Sequence, residues 1–417
     1  MKTVAEALAI VLEQASPLSI ERVSLAAALG RRLAEEVNCP ADVPPFDKSM
    51  MDGFALRTAD TSTPPATLNL VGEVTAGTVW PGELHIGETL RIMTGAPVPA
   101  GADAVIPLER VQDQGETIVI TQSPSVGYSI LKRGELMRAG ERLLAAGTLI
   151  RPQEIALLAE IGQSEIAVHR QPSVAVLATG DELVAPHEQP GPGQIRNSNE
   201  PMLLAQIARS GARPVGLGIA KDQLEELRDK VAGGLQHDVL LLTGGVSMGS
   251  RDLVPQVFAS LGIREVFHKV QLKPGKPIWF GIWEGDIDGL PQGDRPSPIS
   301  TGQHRRLIFG LPGNPVSSMV CFELFVRPAI QRLLGTVETG GTIVGLPLAS
   351  PHRHREDRPT CFPAQLRWGD NGAEVVPSPW KGSADIKATT VANGLIHLPP
   401  GDLTYAAGEI VEFTSWE

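Results

Sequence analysis

The sequence has little of several features that would mark a specialised class of protein. Aromatic residues make up only 4% of its 417 residues, and its three cysteines are Cys39, Cys321 and Cys361. An odd number of widely spaced cysteines argues against a disulfide framework, and the absence of a Cys/His cluster argues against zinc. No segment is rich in Lys and Arg, and the formal net charge is −11. A nucleic-acid backbone is therefore not expected as the main partner.

Long uncharged hydrophobic runs are also missing. None approaches the roughly 18 residues that predict a membrane-spanning helix, so we expect no membrane association. Glu6 and Glu13 interrupt the apolar pattern of the N-terminal segment. This segment therefore predicts an amphipathic helix and not a signal peptide, and a cytoplasmic protein is expected.

The residues that are abundant predict ordered domains with many turns. Hydrophobic residues make up 42% of the chain, which is enough for real cores. The 44 glycines and 35 prolines exceed ordinary usage of about 7% and 5%. At roughly 150 residues per domain, the length predicts about three domains.

The first third of the chain alternates between helical and strand patterns. Apolar residues at helical spacing predict helices over 1–15, 19–33 and 151–162. Residues 46–135 instead show short β-type runs separated by Gly and Pro, typical of a barrel or sandwich. We therefore predict a helical N-terminal domain formed by 1–45 and 136–168, with a β domain, 46–135, inserted into it.

The rest of the chain predicts an α/β domain and a small β domain. Over 169–335, continuous apolar strands alternate with helices, which is typical of a parallel sheet covered on both faces. Residues 336–417 return to β patterns and predict a C-terminal β domain. The Gly, Pro, Asp and Ser residues of 285–305 predict a loop longer than usual, mobile or functional, and we favour a mobile surface loop.

Two glycine-containing motifs follow predicted strands of the α/β domain. The first, TGDEL, is Thr179–Leu183, and the second, TGGVSMGSRD, is Thr243–Asp252. Glycines let the backbone approach a ligand, and the acids Glu182 and Asp252 come just after the strand ends. A helix N-cap at Asp181 is the alternative for the first motif. Neither motif is a Walker or dinucleotide fingerprint.

Two further motifs supply groups that bind anions. In LKPGKP, Leu272–Pro277, a Pro-Gly turn separates Lys273 from Lys276, so both ammonium groups can face one oxyanion or phosphate. A solvated turn is the alternative. In GLPGNPVSS, Gly310–Ser318, we expect Ser317 to cap the following helix.

Together these motifs predict one site at the carboxyl edge of a sheet, where ligands of α/β proteins bind. Carboxylates beside phosphate-binding groups imply a divalent cation with oxygen ligands, most simply Mg²⁺. The residues alone therefore indicate a phosphorylated, nucleotide-bearing ligand and a metal held by Glu182 and Asp252.

Three other segments contain polar or charged residues that could belong to a site or to a turn. PPFDKSMMDGFA (44–55) contains Asp52, and RIMTGAPVP (91–99) contains Thr94 at a strand end. A buried turn is the alternative for the first segment. The run HRHRED, 352–357, is interpreted as a solvated surface turn.

The six motifs PPFDKSMMDGFA, RIMTGAPVP, TGDEL, TGGVSMG, KPGKP and LPGNPVS occur in this order along the chain. In this the sequence resembles the MoeA family of molybdopterin molybdenumtransferases, which includes a plant E domain and the gephyrin E domain. The resemblance covers nearly the whole chain. It implies the four domains above, the third of them molybdopterin-binding, and an elongated homodimer. It also implies a cleft between the α/β domain of one subunit and the inserted and C-terminal domains of the other.

The resemblance implies a reaction of adenylylated molybdopterin and molybdate, with Mg²⁺, that leaves molybdenum on the dithiolene and releases AMP. It implies catalytic roles for Asp52, Thr94, Glu182 and Asp252, the last two also as metal ligands. The residues implied in substrate binding are Gly180, Asp222, Gly244, Gly245, Ser247, Gly249, Lys273, Lys276, Pro277, Ser317 and Ser383. A helix N-cap is the alternative for Asp222. Molybdopterin adenylyltransferase and apo-molybdoenzymes are the implied further partners.

The chain departs from the family pattern at two positions. Leu136 stands where the family often has an acid, next to Glu135, and an arginine expected near Phe362–Ala364 is missing. Arg358 and Arg367 are the candidates to replace it. Two other functions stay open: a non-catalytic scaffold on the same fold, since fold does not settle function, and a nucleotide-dependent oxidoreductase, which the missing fingerprint disfavours.

Overall fold

The computed structural model describes residues 1–245, 253–285, 305–336, 342–369 and 372–416. Nearly all of the expected loop 285–305 lies outside these residues. The α-helices of the described residues are α1 Val4–Gln14, α2 Pro152–Glu160, α3 Asn199–Arg209, α4 Leu224–Gly234, α5 Val254–Ser260, α6 Pro315–Cys321 and α7 Arg327–Leu333. The helix α1 begins with a capping box, in which Thr3 and Glu6 each accept a hydrogen bond from the other's backbone N–H.

The strands fall into two sets along the chain. The first set is β1 Ile20–Ser24, β2 Val37–Asn38, β3 Lys48–Ser49, β4 Gly53–Leu56, β5 Ala66–Val74, β6 Glu88–Ile92, β7 Ala104–Pro107, β8 Val111–Asp113, β9 Thr117–Ile120, β10 Ile130–Leu131 and β11 Arg142–Leu144. The second set is β12 Glu165–His169, β13 Ser173–Thr179, β14 Leu183–Val184, β15 Ile195–Arg196, β16 Arg213–Ala220, β17 Val239–Thr243, β18 Arg264–His268, β19 Trp279–Trp283, β20 Arg306–Leu311, β21 Ile343–Pro347, β22 His352–Glu356, β23 Thr360–Gly369, β24 Gly372–Pro377, β25 Gly394–Leu398, β26 Gly401–Tyr405 and β27 Ile410–Ser415.

The chain forms two compact units. The first comprises residues 1–34, 147–155 and 165–417, and the second comprises 35–146 and 156–164. The main sheet of the first unit has the order β16-β13-β17-β20-β19-β18. Its first four strands are parallel, whereas β18 and β19 run antiparallel to their neighbours. The expected parallel sheet is therefore found for four strands but is wrong for β18 and β19, because the short 269–278 connection makes a hairpin of these two strands.

Helices cover both faces of this sheet, as its continuous apolar strands predict. Alternate residues of β13 point to opposite faces, since successive side chains alternate along a strand. Val174 and Val176 join a core with residues of α1, α3, α6 and α7. Ala175 and Leu177 join a second core with residues of α4 and α5.

The C-terminal residues of the first unit form a β domain, as expected. Its five strands have the order β21-β27-β25-β23-β24, and β22 pairs with β26 in a separate ladder. In the second unit, six strands have the order β7-β4-β6-β5-β9-β8, and the ladders β10-β3 and β11-β2 add to them. The strand pattern of 46–135 is thus confirmed.

One predicted helix is wrong. The segment 19–33 contains the strand β1, which pairs antiparallel with β12, and a 3₁₀ turn at Leu25–Ala27. The β-branched residues Ile20 and Val23 favour an extended backbone, and pairing with a distant strand decides the outcome. The regions 1–45 and 136–168 are therefore helical only in part.

The three cysteines are buried and none forms a disulfide. Among the helices of the described residues, none combines the length and the apolar character that crossing a bilayer requires.

Candidate functional site

A pocket of about 240 Å³ lies where the connection between β18 and β19 meets the start of α6. Five of the residues that the resemblance assigns to substrate binding line it: Lys273, Lys276, Pro277, Ser317 and Ser383. Its other lining residues are Leu272, Pro274, Gly275, Pro312, Asn314, Arg358 and Trp380. The motifs LKPGKP and GLPGNPVSS therefore meet, and their binding role stays a prediction.

Backbone hydrogen bonds hold the lysine turn against the C-terminal domain of the same chain. The Lys273 N–H donates to the Pro359 carbonyl at 2.9 Å, and the Cys361 N–H donates to the Lys273 carbonyl at 2.8 Å. Within the turn, the Ile278 N–H donates to the Gly275 carbonyl at 3.2 Å. The turn is thus fixed at both sides, which positions its two lysines.

The two lysines differ in their surroundings. Lys273 is half-buried, and its ammonium group pairs with the carboxylate of Glu356. Lys276 is exposed and, within the part of the chain that the structure describes, forms no ion pair. Both lysines line one pocket, and Lys273, unlike Lys276, has a counter-ion among the described residues.

The start of α6 contacts a loop of the C-terminal domain. The Asn314 side-chain amide donates to the Ser383 hydroxyl at 2.9 Å, and the Val316 N–H donates to the Ser383 carbonyl at 3.0 Å. Ser383 therefore reaches the pocket from the same chain, whereas the resemblance implied the C-terminal domain of the other subunit. The expected N-cap at Ser317 is wrong, because α6 begins at Pro315 after Asn314.

Acidic side chains gather at the carboxyl ends of β13 and β16. The Asp222 N–H donates to the Asp181 carboxylate at 3.1 Å. Partial burial, and then the negative charges of Asp181 and Glu182, raise the pKa of Asp222. Neither Asp181 nor Asp222 is a helix N-cap, because TGDEL leads into β14 and Gln223 precedes α4. These acids thus concentrate negative charge, which a cation would relieve.

Whether this edge of the sheet can bind a metal ion depends on Asp252, which the structure does not describe. Within the described ranges, no group of three or more His, Cys, Asp or Glu side chains is arranged to hold a metal ion. Asp252, the predicted second metal ligand, lies outside the described residues, as do Ser247 and Gly249. Glu182 and its acidic neighbours supply the oxygen ligands that Mg²⁺ prefers, but they do not complete a site.

Gly180 and Gly244 shape the edge of the sheet. Gly244 has φ +92°, and a Cβ there would lie 2.4 Å from the Thr179 carbonyl oxygen. Gly180 has φ +144°, and the Glu182 carboxylate occupies the space of its missing side chain. Both positions require glycine, because only glycine combines these angles with such close contacts.

Below this edge a buried polar network joins the ends of β17 and β20 to the helices α3 and α6. The Asn199 side-chain amide donates to the Thr243 hydroxyl and to the Gly313 carbonyl, both at 2.7 Å. The Ser318 hydroxyl donates to the Pro312 carbonyl at 2.6 Å. Gly244 and Gly245 follow Thr243 directly, so this network holds the glycine turn and the start of α6 together.

In the second unit, the structure brings Asp52 and Thr94 together. The N–H and the hydroxyl of Thr94 each donate to the Asp52 carboxylate at 2.7 Å. They meet because β4 and β6 pair antiparallel, with Gly53 opposite Ile92. Both Thr94 hydrogen bonds lower the pKa of the exposed Asp52. An ionised carboxylate is therefore held at a fixed place.

The sequence interpretation missed Glu356, which pairs with Lys273, and Trp380, which lines the pocket. HRHRED is not a solvated turn: its first five residues form β22, in which His354 is only 3% exposed. Glu356 ends that strand beside Lys273. The alternation of His and Arg could have indicated this strand, because a period-two pattern is typical of a strand with one buried face.

The structure shows the surroundings of the residues at which the chain departs from the family pattern. Leu136 is 56% exposed, and the Glu135 carboxylate accepts a hydrogen bond from the Lys132 N–H at 2.8 Å. Arg358 lines the pocket. Arg367 lies on β23 and pairs with Glu374 at 2.9 Å. Of the two arginines considered, Arg358 is the one at the pocket.

Comparison with known proteins covers almost the entire chain. Residues 2–162 match the MoeA N-terminal region (domain I and II), 175–332 match a probable molybdopterin binding domain, and 346–416 match the MoeA C-terminal region (domain IV). The structure matches a molybdopterin biosynthesis MoeA protein from Pyrococcus horikosii with a TM-score of 0.81 and 31% identity, covering 100% of this chain and 99% of that one.

Relatives of similar length indicate the same family. A molybdopterin molybdenumtransferase from Staphylococcus aureus is 32% identical over 98% of this chain and 94% of its own length. The corresponding protein from Staphylococcus epidermidis is 31% identical with the same coverage. The chain belongs to the MoeA family of molybdopterin molybdenumtransferases.

Proposed function

We propose that the protein inserts molybdenum from molybdate into adenylylated molybdopterin and releases AMP, forming the molybdenum cofactor. The observation that carries this proposal is the pocket where Lys276, Lys273 and Arg358 meet the polar side chains of Asn314 and Ser383. Molybdate is a tetrahedral dianion, and such an anion is bound by cations and hydrogen-bond donors that converge on it.

Cleaving a phosphoanhydride requires positioning and charge neutralisation more than covalent chemistry from the protein. We propose that Mg²⁺, bound by Glu182 and Asp252, supplies that neutralisation. Partial burial, and then the negative charges of Asp181 and Glu182, raise the pKa of Asp222. The second of these causes supports a cation nearby, because a cation stabilises carboxylates that repel one another. Asp52 would act as an ionised group kept in place by Thr94.

The remaining family properties are part of the same proposal. We expect a four-domain subunit that works as a homodimer in the cytoplasm, with molybdopterin adenylyltransferase and apo-molybdoenzymes as partners. Light scattering together with an activity assay checks the dimer, and a fully active monomer at nanomolar concentration would contradict it.

The decisive experiment measures AMP release from adenylylated molybdopterin with and without molybdate, in the presence of Mg²⁺. The enzyme should release AMP in a molybdate-dependent manner. Binding of the nucleotide substrate without AMP release would identify the scaffold instead. Glu182→Gln and Asp252→Asn should both slow release strongly while the fold is kept, and wild-type rates at limiting Mg²⁺ would refute the metal role.

A matched pair of lysine variants tests the pocket. Lys276→Ala should raise the molybdate concentration for half-saturation by roughly ten- to a hundredfold, since a charged hydrogen bond contributes about 1.5–3 kcal/mol and about 1.4 kcal/mol is tenfold. Lys387→Ala, an exposed lysine outside the pocket, should behave as wild type. If Lys276→Ala abolished nucleotide binding and left the molybdate requirement unchanged, Lys276 would be a phosphate ligand.

A further inference from the structure

A carboxylate of the protein already forms an ion pair with one of the cationic side chains that line the pocket. Glu356, the last residue of β22, pairs with Lys273, and their side chains are 28% and 33% exposed. The two residues are 83 positions apart in sequence. The backbone bonds of Lys273 to Pro359 and Cys361 hold the two segments together, so the pairing follows from the fold and not from a chance side-chain contact.

Asp357, which precedes the lining residue Arg358, differs from Glu356. Asp357 pairs with Arg358 at 3.1 Å, but its side chain is 78% exposed. Water and salt screen such an exposed pair, so it contributes little. Among the described residues, Glu356 is thus the acid that is both partly buried and paired with a lysine of the pocket.

We propose that Glu356 is a displaceable internal counter-ion that sets the oxyanion affinity of the pocket. In the free protein it neutralises Lys273, and a tetrahedral dianion must displace it to reach that ammonium group. A monoanion gains too little electrostatic energy from Lys273 to displace Glu356. A dianion gains more, because its charge is doubled. The pocket therefore discriminates by anion charge. This inference depends on the proposed function only for the identity of the natural dianion.

A purely structural role for Glu356 makes the opposite prediction. If the ion pair served only to clamp β22 to the lysine turn, removing it would loosen the pocket and weaken anion binding. If Glu356 competes with the anion, removing its charge frees Lys273 and strengthens binding. The sign of the affinity change therefore separates the two roles.

The test titrates sodium molybdate and, separately, sodium phosphate into the full chain by calorimetry, without nucleotide. Glu356→Gln keeps the size and an acceptor oxygen but removes the charge. It should bind either dianion about tenfold more tightly, corresponding to about 1.4 kcal/mol, with a steeper salt dependence. Glu356→Ala, which also removes the acceptor, should tighten binding at least as much and serves if the first variant folds poorly.

Asp357→Asn is the matched control, because it removes the same charge one residue away at an exposed position. It should leave both affinities near wild type. Equal tightening in Asp357→Asn would show a general charge effect, and weaker or unchanged binding in the Glu356 variants would overturn the proposal. Failure of molybdate-dependent AMP release would refute the proposed function but leave these binding results standing.

Discussion

The side-chain amide of Asn314 and the hydroxyl of Ser383 are 2.9 Å apart, and this hydrogen bond joins the start of α6 to the C-terminal domain. The backbone bond from Val316 to the Ser383 carbonyl adds to it at 3.0 Å. Because the second bond needs no side chain, the loop should stay in place when the hydroxyl is removed. The hydroxyl and the backbone of Ser383 can therefore be tested separately.

Ser383→Ala should weaken molybdate binding while the fold is kept. The lost neutral hydrogen bond costs about 0.5–1.5 kcal/mol, or roughly two- to tenfold in affinity. Calorimetric titration measures the affinity, and the melting temperature checks the fold. Thr390→Ala, an exposed hydroxyl of the same domain, is the control and should change neither. Unchanged molybdate affinity in Ser383→Ala would exclude its hydroxyl from the anion site.

Asp52 and Thr94 allow a prediction on proton affinity. Thr94→Val removes one of the two donors that lower the pKa of Asp52, and the N–H remains. The pKa of Asp52 should therefore rise toward its ordinary value, and an acid limb of activity that depends on ionised Asp52 should move to higher pH. NMR titration of the Asp52 carboxyl carbon measures this shift directly, and an unchanged titration curve would refute the role of the hydroxyl.

The carboxyl edge of the main sheet could be predicted from the sequence. The apolar runs that become β13, β17 and β20 are continuous and each ends in or near glycine, which marks both the strand and its end. Parallel neighbours then place their ends at one edge. Local pattern and topology agree here, so the motifs following these strands could be brought together before the structure was known.

The contacts between distant segments could not be predicted. Nothing in the local sequence of Lys273 indicates that Glu356 neutralises it, because that contact depends on how the C-terminal domain packs. The strand β1 was predicted as a helix for the same reason. Its partner β12 lies more than a hundred residues away, and pairing with it overrides an apparently helical pattern. Long-range packing is thus what the sequence interpretation lacked.

Gly244 should be intolerant of any side chain. In Gly244→Ala the new Cβ would lie 2.4 Å from the Thr179 carbonyl oxygen, on a backbone with φ +92°. Overpacking and the left-handed conformation together should cost roughly 2–4 kcal/mol. Gly262 has φ +72° with no atom within 4 Å of a built Cβ, so Gly262→Ala should cost only about 1–2 kcal/mol. Calorimetric melting compares the two, and equal losses would show that the contact with Thr179 does not matter.

Asp238 provides a prediction on acid stability. Its side chain is 3% exposed and accepts hydrogen bonds from the Arg170 guanidinium at 2.9 and 2.8 Å and from the Ser173 N–H at 2.8 Å. Burial alone would raise the pKa of Asp238, but the hydrogen bonds and charge of Arg170, with the Ser173 N–H, lower it below its ordinary value. The carboxylate is therefore more stable in the folded protein than in the unfolded chain.

A carboxyl with a depressed folded pKa contributes stability that is present above its unfolded pKa, about 3.9, and is lost as the pH falls through the folded value. The melting temperature should thus fall as the pH drops below about 4, and Asp238→Asn should remove part of this dependence. At neutral pH the variant should lose about 3–5 kcal/mol, because Arg170 keeps its charge without a partner. Asp402→Asn removes an acid whose side chain is 49% exposed and should leave the acid dependence unchanged. An identical acid dependence in Asp238→Asn and wild type would mean that other carboxylates determine the acid stability.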